Sequence, residues 1–307
     1  MDLSFQQLRM LREVAHRGTL AAAADALGYT PSAVSQQLGA LERSTGIAVL
    51  ERIGRGVRLT DAGRELVRHA DGLLAGMEAA RAALESVGGE ARGTVELSVY
   101  ESVASTLLPD VLDRLAIRHP DLELRTREID PDQAIDAVAR GEIDLAFSID
   151  YLHAPAANRA GVQRELVVED HFHVVVPDSH PITAPTVALD DLAGERFISS
   201  PLDLSCGRCV AVACRAAGFE PDVAHQLDDY PTTLRLVAAG HGIGLVPDLG
   251  LVHPPPGLRI LDLETPVIRF VQLAFRDASA GRPAIRAVRD VVADVGRTAV
   301  EGAGVAA

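Results

Sequence analysis

The stretch YTPSAVSQQLGALE, Tyr29 to Glu42, decides how the chain reads. Thr30 is a good N-cap, and Pro31 fits the first helical position, where a missing N–H costs nothing. At about 100° per residue, Val34, Leu38 and Leu41 fall on one side of the helix that follows. The opposite side carries Ser32, Gln36, Gly39 and Arg43, flanked by Ser35 and Ala40. Hydrogen-bonding side chains beside very small residues suit a helix pushed into the DNA major groove, where Gln pairs with adenine and Ser serves several bases. The other reading is a solvated helix face.

On the N-terminal side of this stretch, GTLAAAADALG opens with Thr19 as an N-cap and closes with Gly28 as the residue just past the helix. Two helices joined by a tight turn at Gly28–Tyr29 form a helix-turn-helix. On the C-terminal side, GIAVLERIGRGVRLTDAG sets two short apolar runs around Arg52, Arg55 and Arg58. That pattern predicts a hairpin wing carrying arginines toward phosphates, or an exposed basic hairpin with no partner. From Thr60 to Gly88 one long helix is expected. Its Leu66, Ala70, Leu73, Met77, Ala80, Leu84 and Val87 follow a 4-3-4-3 spacing. This is a coiled-coil seam that would pair two copies, and with them two recognition helices; the alternative is packing on its own domain.

The formal charge is −14, which argues against a generic nucleic-acid binder. The charge is uneven, however. Residues 1–65 hold eight arginines against seven acidic residues, and the remainder holds twenty-one against thirty-six. The N-terminal segment can approach DNA while the rest repels it. There is no lysine, so a side-chain cation on a phosphate must be Arg or His. Three cysteines give no disulfide framework and suit a reducing compartment. No apolar run approaches a membrane span, and the opening MDLSFQQLRML suggests no export signal, so a cytoplasmic protein is expected.

Residues 94–300 alternate strand and helix signals: TVELSVY, LELRT, IDLAFSI, HFHVVV, RFIS, GIGLVP and RFVQLAF read as strands. Helices are expected at about 102–117, 131–140, 205–217, 230–240 and 283–296. This is an α/β pattern with mainly parallel sheets, long enough for two subdomains. The expected organisation is a winged helix-turn-helix at 1–60, a linker helix at 61–90 and an α/β domain at 91–307. Within that domain, subdomain I spans about 91–161 and 267–300, and subdomain II about 162–266.

The block REVAHRGTLAAAADALGYTPSAVSQQLGALERSTGIAVLERIGRGVRLTDAG resembles the DNA-binding region of LysR-type transcriptional regulators. The alanine run, AVS, LE, a glycine soon after, LER and RLTDAG carry the likeness, and LVAAGHGIGLVP is the best-matching piece farther on. The resemblance covers essentially the whole chain. It implies a winged helix-turn-helix, a dimerising linker helix, and an effector domain like periplasmic binding proteins, built of two Rossmann-like subdomains around a ligand cleft. It also implies a cytoplasmic homotetramer that binds double-stranded DNA and answers to a small-molecule effector, with no cofactor and no enzyme activity. The candidate DNA contacts are Thr30, Ser32, Ser35, Gln36, Arg43, Arg52, Arg55 and Arg58. Many relatives carry Ser, Gln, Pro where this chain has Thr30, Pro31, Ser32, and Arg where it has Gln36. Ser35 and the wing arginines therefore carry over better than Pro31, Ser32 or Gln36.

In such folds ligands bind at strand C-termini and helix N-termini, where free N–H groups favour an anion. The turn YESVAST then places Tyr100, Glu101, Ser102 and Ser105 at the cleft. Glu128 ends the second strand, and Ser148 lies near the end of the third. ISSPLDLSC brings Ser199, Ser200 and Ser205 from the other subdomain, with His225 and Asp228 nearby. Glu101 and Glu128 suggest a ligand with an amine or hydroxyl as well as a carboxylate, unless they are solvated or paired with Arg125 or Arg127. CGRCVAVAC gives Cys206 and Cys209 a CxxC spacing at a helix start, with Cys214 beyond. A redox or metal sensor is one reading, and small thiols lining the helix as core or cleft residues the other; no second ligand pair has zinc-site spacing, so no metal site is assigned. A binding protein or enzyme without DNA function is a third possibility. The chain carries no Gly-rich phosphate loop, GxSxG or HExxH to support an enzyme.

Overall fold

The computed structural model describes residues 3–54, 56–152 and 158–303. The chain forms two compact units, Met1–Val87 and Gly88–Ala307.

The first unit runs α1 (Phe5–Arg17), α2 (Leu20–Leu27), α3 (Pro31–Thr45), β1 (Leu50–Ile53), β2 (Gly56–Leu59) and α4 (Asp61–Gly88). Thr19 caps α2 by accepting the Ala22 N–H, and Thr30 caps α3 by accepting that of Ala33 at 3.2 Å. Gly28 turns the chain between them at φ 69°, a left-handed conformation that glycine adopts without penalty. Val34, Leu38 and Leu41 are at most 1% exposed and pack with Leu11, Val14, Ala23 and Ala24.

Two side chains tie the wing to α3 and α4. The Glu42 carboxylate accepts the N–H groups of Val49 and Leu50 at 2.8 and 3.0 Å. Thr60 donates its hydroxyl to the Ala48 carbonyl at 2.7 Å and accepts the Gly63 N–H at 3.0 Å. A Cβ on Gly63 would stand 2.1 Å from the Val49 carbonyl oxygen, so only glycine lets α4 start this close to the wing. The LE and TDAG fragments are thus the fasteners of the domain. At the start of the predicted seam, Leu66 packs into this domain's own core. Farther along α4, Leu73 and Met77 are half exposed, and Leu84 and Val87 are 76% and 87% exposed.

The second unit uses one motif twice. The first copy is β3 (Gly93–Val99), α5 (Glu101–Arg118), β4 (Leu122–Glu128), α6 (Pro131–Arg140) and β5 (Leu145–Tyr151), with β3 paired in parallel between β4 and β5. After β6 (Val162–Pro177) and β7 (Thr186–Val187) comes the second copy. It comprises β8 (Arg196–Ser199), α7 (Ser205–Ala216), β9 (Asp222–Gln226), α8 (Tyr230–Ala238) and β10 (Gly244–Pro247). Here β8 is parallel to β9, and a parallel bridge joins Phe197 to Ile243 just before β10. The chain ends with β11 (Leu258–Leu263), β12 (Ile268–Arg276) and α9 (Pro283–Ala303).

The expectation of mainly parallel sheets needs correction at the centre. β12 is antiparallel to both β5 and β6, and β6 is antiparallel to β10 and β11. The reason is β6 itself. Its 16 residues, at about 3.3 Å each, reach from one half to the other. Val162 to His171 pair with β12, whereas Phe172 to Pro177 pair with β10 and β11. One strand is therefore shared by both halves, and position 162 marks its beginning rather than a break between them.

Candidate DNA-binding face and effector cleft

On α3 the residues Ser32, Ser35, Gln36 and Arg43 are all exposed, opposite the buried Val34, Leu38 and Leu41. The Arg43 guanidinium lies over Gly39, so near that an added Cβ there would meet its nitrogen at 3.3 Å. Thr30 is partly committed: its hydroxyl caps α3 and lies 3.0 Å from that of Ser32. On the wing, Arg52 is exposed, while Arg58 pairs across the hairpin with Glu51 at 2.8 Å. Arg55 lies outside the described residues.

In the second unit the repeated motif brings the N-termini of α5, α6, α7 and α8 around one cavity of about 180 Å³. Its floor is Arg269, on β12 and 2% exposed. Every branch of that guanidinium is used. Its Nε donates to Asp170 at 2.7 Å, one terminal nitrogen donates to Ser102 Oγ at 2.9 Å, and the other reaches Tyr230 Oη at 3.4 Å. The rings of Tyr100, Phe172 and Tyr230 surround it at 5.8 to 5.9 Å. Burial pulls the Arg269 pKa down, but Asp170 and the tyrosines more than reverse this, so the group stays protonated. The Leu249 N–H supplies Asp170 with a further donor at 3.1 Å.

The walls are acidic. Glu101, Glu128, Asp130, Asp132 and Asp228 all line the cavity. The Glu101 carboxyl is raised above its ordinary pKa, first by burial and then by Asp229, with Asp228 and Glu128 adding and Arg269 opposing. Neither suggested partner neutralises the pair of glutamates: Arg125 binds Glu123 at 3.0 Å, and Arg127 donates to the Glu142 carbonyl at 3.1 Å.

Two family models divide the chain between them. Residues 5–64 match the model described as a bacterial regulatory helix-turn-helix protein of the lysR family. Residues 88–297 match the LysR substrate binding domain. The chain belongs to the LysR family. It is accordingly a DNA-binding transcriptional regulator with an effector-binding domain, and not an enzyme. Among curated relatives, the transcriptional dual regulator GltC of Bacillus subtilis is 29% identical, over 87% of this chain and 88% of GltC. A probable hydrogen peroxide-inducible genes activator of Mycobacterium avium is 31% identical, over 82% of this chain and 85% of its own length. Among solved structures, a full-length point variant of OxyR from Pseudomonas aeruginosa shares the fold with a TM-score of 0.71 at 23% identity, covering 97% of this chain and 95% of that one.

Within this LysR-family effector domain the structure gathers five of the sequence-predicted residues at the cavity: Tyr100, Glu101, Ser102, Glu128 and Ser205. Four stand elsewhere. Ser105 is exposed one turn into α5 and donates to the Ser102 carbonyl. Ser148 and Ser199 are buried within strands, and Ser200 donates to Asp228 at 2.6 Å from behind the cavity wall. Sequence reasoning missed Arg269, Asp132, Tyr151 and Tyr230. A signal for Arg269 was present: at alternate positions with Val271, Leu273 and Phe275 it occupies the buried register of its strand.

The cysteines divide in the same way. Cys206 faces the cavity, with Sγ 3.3 Å from Tyr230 Oη. Cys209 and Cys214 are buried, and burial pushes both thiols up to about 12. At neutral pH neither is a thiolate, the form a redox reaction requires. No helix among the described residues is long and apolar enough to cross a membrane.

Proposed function

We propose that this regulator reads its operator with Ser32, Ser35 and Gln36 of α3, and anchors to phosphates through Arg43, Arg52, Arg55 and Arg58. Its effector binds in the cavity among the four helix N-termini, contacted by Tyr100, Glu101, Ser102, Glu128 and Ser205. The observation that carries this reading is the exposed, cation-flanked polar face of α3, in a chain whose other unit encloses a polar cavity at helix N-termini. The exposed apolar side chains Leu73, Met77, Leu84 and Val87 on α4 support a two-stranded coiled coil. Two such dimers make the homotetramer, which works in the cytoplasm. An effector changes DNA binding only through different affinity for two arrangements of the halves. Their shared strand β6 is the element on which such a change would turn.

Selection from randomised duplexes at fixed salt tests the reading. A dyad-symmetric consensus is expected, with a half-site spacing set by the dimer. Selection without a consensus would contradict it. A peroxide-responsive input is the second reading, favoured by Cys206 facing the cavity and by the name of the mycobacterial relative. The buried, protonated Cys209 and Cys214 favour the ligand input instead. Replacing Cys206 and Cys209 by Ser should leave a ligand response intact.

A further inference from the structure

The helix N-termini of this cleft are where an anionic effector would be held, and the chain caps three of the four with its own carboxylates. Asp130 accepts the Asp132 N–H at the start of α6 at 2.8 Å. Asp132 in turn accepts the Ser205 N–H at the start of α7 at 3.0 Å. Asp229 accepts the Thr232 N–H at the start of α8 at 3.1 Å. The fourth helix, α5, has no side-chain cap, and Glu101 in its first turn sets a negative charge beside its N-terminus. The cation on the floor, Arg269, is fully engaged by Asp170, Ser102 and Tyr230, and Arg208 beside the cavity is engaged by Ser205 and Asp132. A ligand carboxylate entering here meets an N–H already taken at three of the four helices and a ring of like charge.

The same cavity offers much to a cation. Glu101 and Glu128 have no ion pair among the described residues. Asp228 is fixed by Ser200. Tyr100 is 7% exposed and lines the cavity, with its hydroxyl oxygen shielded. The cavity, at about 180 Å³, is below the range of about 300 Å³ upward that suits drug-sized ligands.

We propose that the effector of this cleft is a small organic cation, a primary amine or guanidine. Its charge is shared by Glu101, Glu128 and Asp228. This rests on the reading of the cavity as the effector site and replaces the carboxylate expected from free helix N-termini.

The test is thermal unfolding of the full-length protein against charge classes on matched carbon chains. The probes are 1,4-diaminobutane and its shorter and longer homologues, agmatine, 1,4-butanediol and succinate. Saturable stabilisation by at least one of the amines or agmatine is expected, with none from the diol or succinate. Glu101→Gln or Glu128→Gln should weaken it about tenfold or more, and the double variant should abolish it. Glu123→Gln, outside the cavity, should leave it unchanged. Retained near-native circular dichroism and a cooperative thermal transition without ligand show that the double variant is folded. Stabilisation by succinate or the diol alone, or a response to amines that survives the double variant, overturns the cationic assignment. The first of these leaves the cavity standing as an effector site. No saturable shift in any class overturns both.

Discussion

The carboxylate of Asp132, at the start of α6, accepts the backbone N–H of Ser205, at the start of α7, at 3.0 Å, and also accepts the Ser205 hydroxyl. The two residues belong to opposite copies of the repeated strand–helix motif, so this contact closes the cleft. Arg208 adds a looser ionic contact to the same carboxylate at 3.6 Å. It is a cap supplied in trans, because Leu204, the N-cap residue of α7, provides no side-chain bond. Closure and helix capping are therefore one event.

Asp132→Ala should remove both. Loss of a cap costs roughly 1 kcal/mol, and urea unfolding of the variant should show a lower midpoint. An unchanged midpoint would mean that the contact contributes nothing in solution.

The buried Arg269–Asp170 pair should respond asymmetrically. Arg269→Met strands a carboxylate that is fully buried beside Leu249, and such a loss costs about 3–5 kcal/mol. Changing Asp170 to Leu at the same time should recover a good part of it. A double variant less stable than Arg269→Met alone, by urea denaturation, would contradict the pairing.

At the DNA face, Gln36→Ala should lower affinity for the specific operator by about 1–3 kcal/mol and leave random duplex unaffected. Arg52→Ala should weaken both equally and reduce the salt slope by about one. Arg58 begins neutralised by Glu51, so Arg58→Ala should cost less than Arg52→Ala. Glu51→Ala should tighten nonspecific binding by releasing that charge. Fluorescence anisotropy across a salt series measures all four.

The pH dependence should show at His173. Its ring nitrogens lie 2.7 Å from Asp248 and 2.9 Å from Asp262, and the bond to Asp248, with further help from Asp262, raises its pKa above 6.5. A group raised on folding adds stability that is fully present below its unfolded pKa and is lost as pH rises through the folded one. Wild type should exceed His173→Gln in urea midpoint at about pH 5, where the histidine carries its charge, and this margin should shrink in alkaline buffer. A margin that grows with pH would contradict the clamp.

What the sequence disclosed follows how local each determinant is. The caps at Thr19, Thr30 and Asp130, the prolines after the last two, and the buried stripe of α3 depend on neighbours within a turn or two, and the structure has each of them. The cleft was half legible for the same reason: residues at the first turn of α5 fall where strand-to-helix turns put them. The rest is non-local. Arg269 and Asp170 meet across 99 positions, and Asp132 and Ser205 across 73. β9 is a short strand, DVAHQ, without a fully buried side chain to mark it. The antiparallel centre follows from the length of β6, whose second half pairs with strands that come later in the chain.

Footprinting of the purified protein on the DNA just upstream of its own gene, at a stated salt concentration, tests the account most directly. The expected result is a protected, dyad-symmetric stretch that needs more protein in Gln36→Ala, a variant that still binds random duplex as wild type does. Protection no stronger than on random DNA, or protection unchanged by Gln36→Ala, would contradict base reading by α3.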